Sequence, residues 1–287
     1  MDSAQIKRLQ QEFGLSYHIE YAALASQLVG FAGKRVLEVG GSLPQKLVLE
    51  ELAAMQWTAL EEMDYWAETL STGHVLGTPP VLTGNKKRLA DVTPFDLQSY
   101  NLYYGRIEEL PRQLESQFDM VFSIAAFEHI ARLPIALEKM KRALVPGGKL
   151  FSMFAPIWSS YNGHHLPEVV DKAGSHWSFG NSPVPPWGHL LFRPMELFDL
   201  LCQKCDSDTA REIVYFVYSS PHVNRFFLDD YLEMVARSGF IVQQASPIFE
   251  IEVPGIVKQQ LSVRYPGRSH FGHSGLLLVL ERGEEPC

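Results

Sequence analysis

Five short apolar runs constrain this chain more than anything else in it. Residues 35–39, 57–60, 101–104, 118–123 and 149–154 are each too short for a helix, rich in Val, Leu, Phe and Tyr, and bounded by turn residues or charges. Helical runs at 44–55 and 135–144 fall between them, the second stopped by Pro146-Gly147-Gly148. Buried strands alternating with helices at this spacing predict a parallel, doubly wound α/β sheet. The first thirty residues carry apolar positions at helical spacing (Ile6, Leu9, Phe13, then Ile19, Ala22, Leu24, Leu28) and end at Gly30 and Gly33. Residues 64–99 are turn-rich, with Pro79, Pro80 and Pro94. After residue 155 the regularity breaks. Residues 156–221 are crowded with Pro, Gly, Trp and His. Order returns with a helix over 228–240 and strand-like runs at 241–253 and 275–280.

At 287 residues the chain could hold one α/β domain with a large insertion or two small domains. We read it as a single domain: an N-terminal helical segment (1–30), a core (31–155 and 222–287), and an insertion (156–221) covering the carboxyl edge of the sheet, where open α/β folds bind ligands. The formal charge of -8 and the lack of a dense Lys/Arg run exclude a partner held mainly through phosphates, so no nucleic acid is expected. The polar start, Met1-Asp2-Ser3-Ala4-Gln5, has no signal-peptide core, and the apolar stretch 21–32 is short and interrupted by Ser26 and Gln27, so no membrane partner is expected. Three cysteines, Cys202, Cys205 and Cys287, make no disulfide framework and fit a cytoplasmic location. Cys202-Gln203-Lys204-Cys205 has no second ligand pair and follows an amphipathic run, so both cysteines read as ordinary helix residues.

The chemistry gathers at the ends of the strands. Glu38-Val39-Gly40-Gly41 runs a strand directly into glycines, letting a ligand approach the backbone closely before the next helix begins. Glu61 stands twenty-one residues beyond Gly40, where an acid can accept both hydroxyl hydrogens of a ribose, with Glu62 the alternative if the strand boundary shifts by one. Two further pieces follow in order: Phe118-Asp119-Met120-Val121-Phe122-Ser123-Ile124-Ala125-Ala126-Phe127-Glu128-His129-Ile130, and Leu144-Val145-Pro146-Gly147-Gly148-Lys149-Leu150. The ordered set resembles the class I, Rossmann-like, S-adenosylmethionine-dependent methyltransferases of the type 11/type 23 small-molecule group, over roughly residues 31–155 and the elements after 225.

That resemblance implies a doubly wound, mostly parallel seven-stranded sheet with N-terminal helices and an inserted lid, and S-adenosyl-L-methionine as cofactor. It implies that Glu38, Gly40 and Gly41 surround the methionine part and that Glu61 holds the ribose. By the same token Ile107, after Gly105 and Arg106, offers its backbone N–H to the adenine, and Ser123 and Ile124 lie beside the methionine moiety. The chain departs from the pattern twice. Ser42 and Pro44 replace later glycines, so the loop follows another path. Arg106 stands where an acid often accepts from the adenine amino group; Arg only donates, and Glu108 is the alternative.

A sulfonium donor needs an aligned acceptor, and a hydroxyl acceptor is helped by a base, most often His. The insertion supplies Gly163-His164-His165, His176 and His189 among Trp158, Tyr161, Trp177 and Trp187, a mixture suited to an apolar pocket with a few polar groups. Adjacent histidines point different ways, so one of His164 and His165 is expected to face a small-molecule methyl acceptor, His164 being slightly favoured. His129 is a further candidate base, or a group bonded to backbone. No acidic cluster accompanies the insertion histidines, so no metal site is expected. The expected activity is methylation of a small molecule, most readily on oxygen of a sugar or secondary metabolite. The glycine turn and Glu61 alone would also suit a nicotinamide-dependent oxidoreductase, and the altered glycine loop would suit a non-catalytic S-adenosylmethionine-binding protein.

Overall fold

A computed structural model of the chain describes residues 1–41, 43–62 and 87–284. Ser42, Cys287 and most of the turn-rich segment, including Pro79 and Pro80, lie outside the described residues.

The five expected strands all form: β1 (Arg35–Val39), β2 (Gln56–Glu61), β3 (Tyr100–Tyr104), β4 (Phe118–Ile124) and β5 (Leu144–Phe154). The insertion contributes a two-stranded ribbon, β6 (Val169–Val170) with β7 (His176–Trp177), and the chain returns to the main sheet through β8 (Ile241–Glu250) and β9 (His273–Glu281). The main sheet has seven strands in the order β3-β2-β1-β4-β5-β9-β8. All pairings among β1 to β5 are parallel, and β9 is antiparallel to both β5 and β8. Strand order reverses between β1 and β4, which opens a crevice at their carboxyl ends.

Both sheet faces are covered, which is why the strands read as continuous apolar runs rather than as alternations. Side chains still alternate. Leu37 and Val121 join one core with helix α3 (Leu133–Ala143) and the helix Leu228–Arg237. Val36, Trp57, Met120 and Phe122 join the other with α1 (Ser3–Phe13) and α2 (Tyr17–Leu28). Helix α1 starts where the Asp2 carboxylate accepts from the Gln5 N–H and stops at Gly14, whose φ of 66° is left-handed.

Two expectations change. The helix expected over 44–55 is shorter, 45–51: the Val48 N–H bonds the Pro44 carbonyl, and the helix closes in a wide turn, Leu47–Glu51, in which the Leu52 N–H reaches back to the Leu47 carbonyl; Ala53, at φ 55°, follows it. The Pro146-Gly147-Gly148 stop is not a break between helix and strand. It is a bulge inside β5, where the pairing jumps from Phe118↔Leu144 to Met120↔Lys149, and Gly147 and Gly148 exchange backbone bonds with Arg282 beyond β9.

The insertion is more ordered than its composition suggested. It holds α4 (Gly188–Leu191), α5 (Pro194–Leu201) and α6 (Ser207–Tyr218), and it is followed by α7 (Leu228–Arg237). Trp158, Trp187, Leu197, Phe216 and Val217 form its own apolar core. That core also takes in Leu261 of α8 (Gly255–Arg264) and Phe271, so the segment between β8 and β9 packs into the same layer. Cys202 directly follows α5, the Cys205 thiol lies against the Leu201 carbonyl, and the two are unbridged.

Candidate active site

The turn after β1 is shaped by close approach. Gly40 has a φ of +88°, its N–H donates to the Leu60 carbonyl, and a Cβ on it would lie 2.2 Å from the Ala126 Cβ. No side chain fits there, so the backbones of the β1 and β4 turns meet. Glu38 ties the loop back onto the sheet. Its carboxylate accepts from the Leu43 N–H at 3.0 and 3.2 Å and from the Trp57 indole N–H at 2.6 Å. The group is 2% exposed, and burial pushes its pKa up to about 7, against the pull of those donors; Glu61 adds a small push in the same direction.

At the ends of β2 and β3, Glu61 pairs in register with Tyr104, and its carbonyl accepts from the Gly105 N–H. The Glu62 carboxylate lies 3.0 Å from Arg106 Nε. Arg106 is therefore turned onto an acid, whereas Ile107 is buried and faces the crevice. Glu108, the alternative adenine partner, lies 3.7 Å from Arg132.

Beyond β4 the chain makes a tight turn over Phe127–His129, clamped from the segment leading into α7. The Asn224 amide donates to the Phe127 and Ile130 carbonyls at 2.7 and 3.0 Å, the Asn224 N–H donates to the Glu128 carbonyl, and the Tyr231 hydroxyl holds the Asn224 Oδ1 at 2.8 Å. His129 Nδ1 is bonded to the His222 carbonyl. The His222 Nε2 in turn donates to the His165 carbonyl at 3.0 Å. The rings of His129 and His165 lie 4.7 Å apart, centroid to centroid. His165 has a φ of 47°, a left-handed conformation rare for any residue but Gly. Burial lowers the pKa of His129 to about 4 and holds His165 well below its ordinary value, with the neighbouring imidazoles pushing the same way. Both rings are therefore neutral at pH 7. Glu128 is fully buried, and burial pushes its carboxyl up to about 8 against a weaker pull from its own backbone N–H; among the described residues no other residue gives either of its oxygens a hydrogen bond.

One cavity of about 860 Å³ joins these groups, a size suited to a cofactor and a small molecule together. Of the residues singled out from the sequence it is lined by Glu38, Gly40, Gly41, Glu61, Glu62, Ile107, Ile124, His129 and His165. Three others do not line it. Ser123 is fully buried and donates to the Val39 carbonyl, locking β1 to β4. Arg106 stays on Glu62. His164 is 1% exposed, accepts from the Leu166 N–H at 3.1 Å and packs on the His189 ring. The preference for His164 over His165 is thus reversed. The sequence predicts no acidic cluster beside the insertion histidines; the fold brings one acid there, Glu128, which with His129 and His165 has one ligand atom each within 4.8 Å of one another.

Of the far wall sequence reasoning named Tyr161 and missed Tyr17, His18 and Tyr21 of α2, Asn162 and Phe179. The four-residue spacing of Tyr17 and Tyr21 puts both rings on one helix face, a signal present in the sequence, but nothing local says which way that face looks. The insertion tryptophans belong elsewhere: Trp158 and Trp187 are core, and the Trp187 indole donates to the Phe271 carbonyl.

Residues 74–152 match the family described as a methyltransferase domain, of type 11. A comparison with curated proteins gives no significant match. Among solved structures, the chain is similar to an S-adenosylmethionine-dependent methyltransferase from Mesorhizobium loti, with 15% identity over 92% of this chain and 97% of that one at a TM-score of 0.46. It is also similar to the YcgJ protein of Bacillus subtilis, with 11% identity over 93% of this chain and 100% of that one at a TM-score of 0.45. Among the described residues no helix is long and apolar enough to cross a membrane.

Proposed function

We propose that this chain is a class I S-adenosylmethionine-dependent methyltransferase, a reading supported by the match of residues 74–152 to a type 11 methyltransferase domain, and that it methylates an oxygen of a small molecule, a sugar or secondary metabolite, held at the far end of its cavity. The observation that carries this reading is the continuity of the cavity: it runs from Gly40, Gly41 and Glu61 to His129, His165, Tyr17, Tyr21 and Tyr161. The near end fits the cofactor. Gly40 and Gly41 present bare backbone to the cavity, and Glu61 ends β2 at the position from which an acid binds ribose hydroxyls. In this reading Glu38, Gly40, Gly41 and Ile124 surround the methionine part, Glu61 holds the ribose, and Ile107 meets the adenine.

When bound, S-adenosylmethionine supplies an electrophilic methyl group on a sulfonium. The chain's own residues then have to align the acceptor and exclude water. The phenol and imidazole groups give the acceptor end its polar contacts, Phe179 packs on the His165 ring, and the insertion closes the site as a lid. His129 and His165 stand at the acceptor end to orient the acceptor hydroxyl.

A nicotinamide-dependent oxidoreductase is disfavoured by the antiparallel β9, since the dinucleotide fold continues in parallel strands. The match of residues 74–152 to a methyltransferase domain favours an enzyme, and turnover on any acceptor removes the non-catalytic alternative. The charge of -8 favours a small molecule over a nucleic acid, and unbridged Cys202 and Cys205 suit a cytoplasmic setting. The test is a panel of hydroxylated small molecules incubated with labelled S-adenosylmethionine, with products read by mass and by position of the label. An O-methylated product is expected. Methyl transfer only to nitrogen, carbon or a macromolecule overturns the acceptor assignment.

A further inference from the structure

We propose that Glu128, His129 and His165 form a divalent metal site at the acceptor end of the cavity, taking a zinc-class transition ion on two imidazole nitrogens and one carboxylate oxygen. The three groups come from two places, the turn after β4 and the start of the insertion, and each offers a ligand atom within 4.8 Å of the others. Bonds of about 2.0–2.2 Å in a tetrahedral site put ligand atoms about 3.4 Å apart. Side-chain rotations of an ångström or so therefore complete the shell.

Three observations point to a cation rather than to a chance cluster. First, Glu128 is fully buried and, among the described residues, no other residue gives either carboxylate oxygen a hydrogen bond, its own backbone N–H being the one donor that lowers its pKa; a carboxylate is kept in such a place when it is paired or coordinates a metal. Second, His129 Nδ1 faces a carbonyl, that of His222, which can only accept. The proton is thereby fixed on Nδ1 and the lone pair on Nε2, the arrangement found when a second partner orients a ligating imidazole. Third, the chain holds the cluster stiffly. Asn224 clamps the turn that carries Glu128 and His129, and His222 bonds the His165 carbonyl, where the backbone is held at a φ of 47°.

The donor set selects the ion. Two imidazoles and one carboxylate suit Zn²⁺ or a neighbouring transition ion with positions left open, whereas Mg²⁺ and Ca²⁺ prefer all-oxygen shells. Because His129 and His165 line the cavity, an open position faces the space where the acceptor binds. An acceptor hydroxyl that coordinates there forms an oxygen–metal bond and gives its proton to solvent. The electron pair of the O–H bond stays on oxygen, and the metal keeps its oxidation state. This catalytic role rests on the methyltransferase reading; the binding of the ion does not.

The experiment is titration of chelator-treated, dialysed protein with Zn²⁺ by calorimetry and with Co²⁺ by visible absorption. S-adenosylhomocysteine binding is measured on the same samples. One ion per chain is expected. Glu128→Gln and His165→Ala should each weaken binding at least tenfold and lose the Co²⁺ spectrum, while His176→Ala, an exposed histidine paired with Glu168, should change neither. His165→Asn, which tolerates the positive φ, should in the metal-free state keep its melting temperature and its S-adenosylhomocysteine affinity, which separates loss of the ion from loss of the fold. No ion bound by the wild type, or the same affinity in Glu128→Gln and His165→Ala, overturns the site. Failure to bind S-adenosylhomocysteine with ion binding intact overturns the methyltransferase reading instead.

Discussion

Glu38→Gln should change how this protein answers to pH. The Glu38 carboxyl titrates at about 7 in the folded protein against an ordinary 4.5, burial being the main cause. Between those values the folded chain keeps a proton that the unfolded chain has lost, so stability falls as pH rises through the window. The shift corresponds to about 3 kcal/mol, absent below pH 4.5 and fully felt above pH 7. The Gln variant carries no such term. It suffers a pH-independent offset of about 1–3 kcal/mol, because one of the acceptors for Leu43 and Trp57 becomes a donor. The slope, not the offset, is diagnostic. Urea unfolding at half-unit steps from pH 4.5 to 8 should show the two stability curves converging as pH rises.

Cofactor binding should show the same group. A cationic ligand beside Glu38 favours the carboxylate and lowers its pKa, typically by 1–3 units. Binding of S-adenosylmethionine to the wild type should then tighten by about tenfold from pH 6 to pH 8 and release a proton near pH 6, read by calorimetry in buffers of different ionisation enthalpy. The nearby titratable groups are Glu61 and Tyr100, and Tyr100 itself is pushed up to about 12 by its own burial. Parallel pH profiles for wild type and Glu38→Gln, in stability and in affinity, would refute the reasoning.

Three further outcomes are expected at the site. Gly40→Ala forces a Cβ to within 2.2 Å of Ala126 at a φ of +88°, and should cost about 2–5 kcal/mol in urea unfolding and abolish detectable S-adenosylhomocysteine binding. Glu61→Ala should weaken S-adenosylhomocysteine at least about tenfold by calorimetry, whereas Glu62→Ala, whose carboxylate is on Arg106, should change it less than about threefold. Once an acceptor is known, His165→Ala should lose about a hundredfold or more in turnover at saturating S-adenosylmethionine, while His164→Ala should lose stability rather than turnover.

What the sequence made legible was local. Each strand is announced by its own residues, and the glycine turn is announced by the strand that runs into it. Glu61 follows from counting, because β2 lies beside β1 in register, Val39 against Leu60. The failures come from contacts between distant segments. The β5 bulge depends on Gly147 and Gly148 bonding to Arg282, and no pattern near residue 146 reports that partner. Ser123 ends its strand where an inward serine looks useful, yet its hydroxyl is spent on the Val39 carbonyl of the neighbouring strand. Arg106 stands in the expected place but is drawn away by Glu62.

The histidine pair shows the limit most sharply. His164 and His165 are adjacent and identical, so nothing in their chemistry ranks them; only the backbone does. Gly163 packs so tightly that a Cβ there would lie 2.2 Å from the Ile157 carbonyl oxygen, which presses this stretch of chain against the preceding turn. His164 is then enclosed, its ring accepting from the Leu166 N–H and meeting the His189 ring edge-on. His165, in the left-handed conformation, is carried to the other side, where its ring meets His129 and Phe179. Two substitutions that both remove the imidazole but differ in their tolerance of that conformation therefore test the backbone's part in the assignment. His165→Asn accepts a positive φ more readily than most residues and should keep the fold while losing the imidazole. His165→Val, β-branched and disfavoured at positive φ, should cost about 1–3 kcal/mol in stability as well. If both variants fold as stably as the wild type, the backbone at this residue is not what sends one histidine to the core and the other to the cavity.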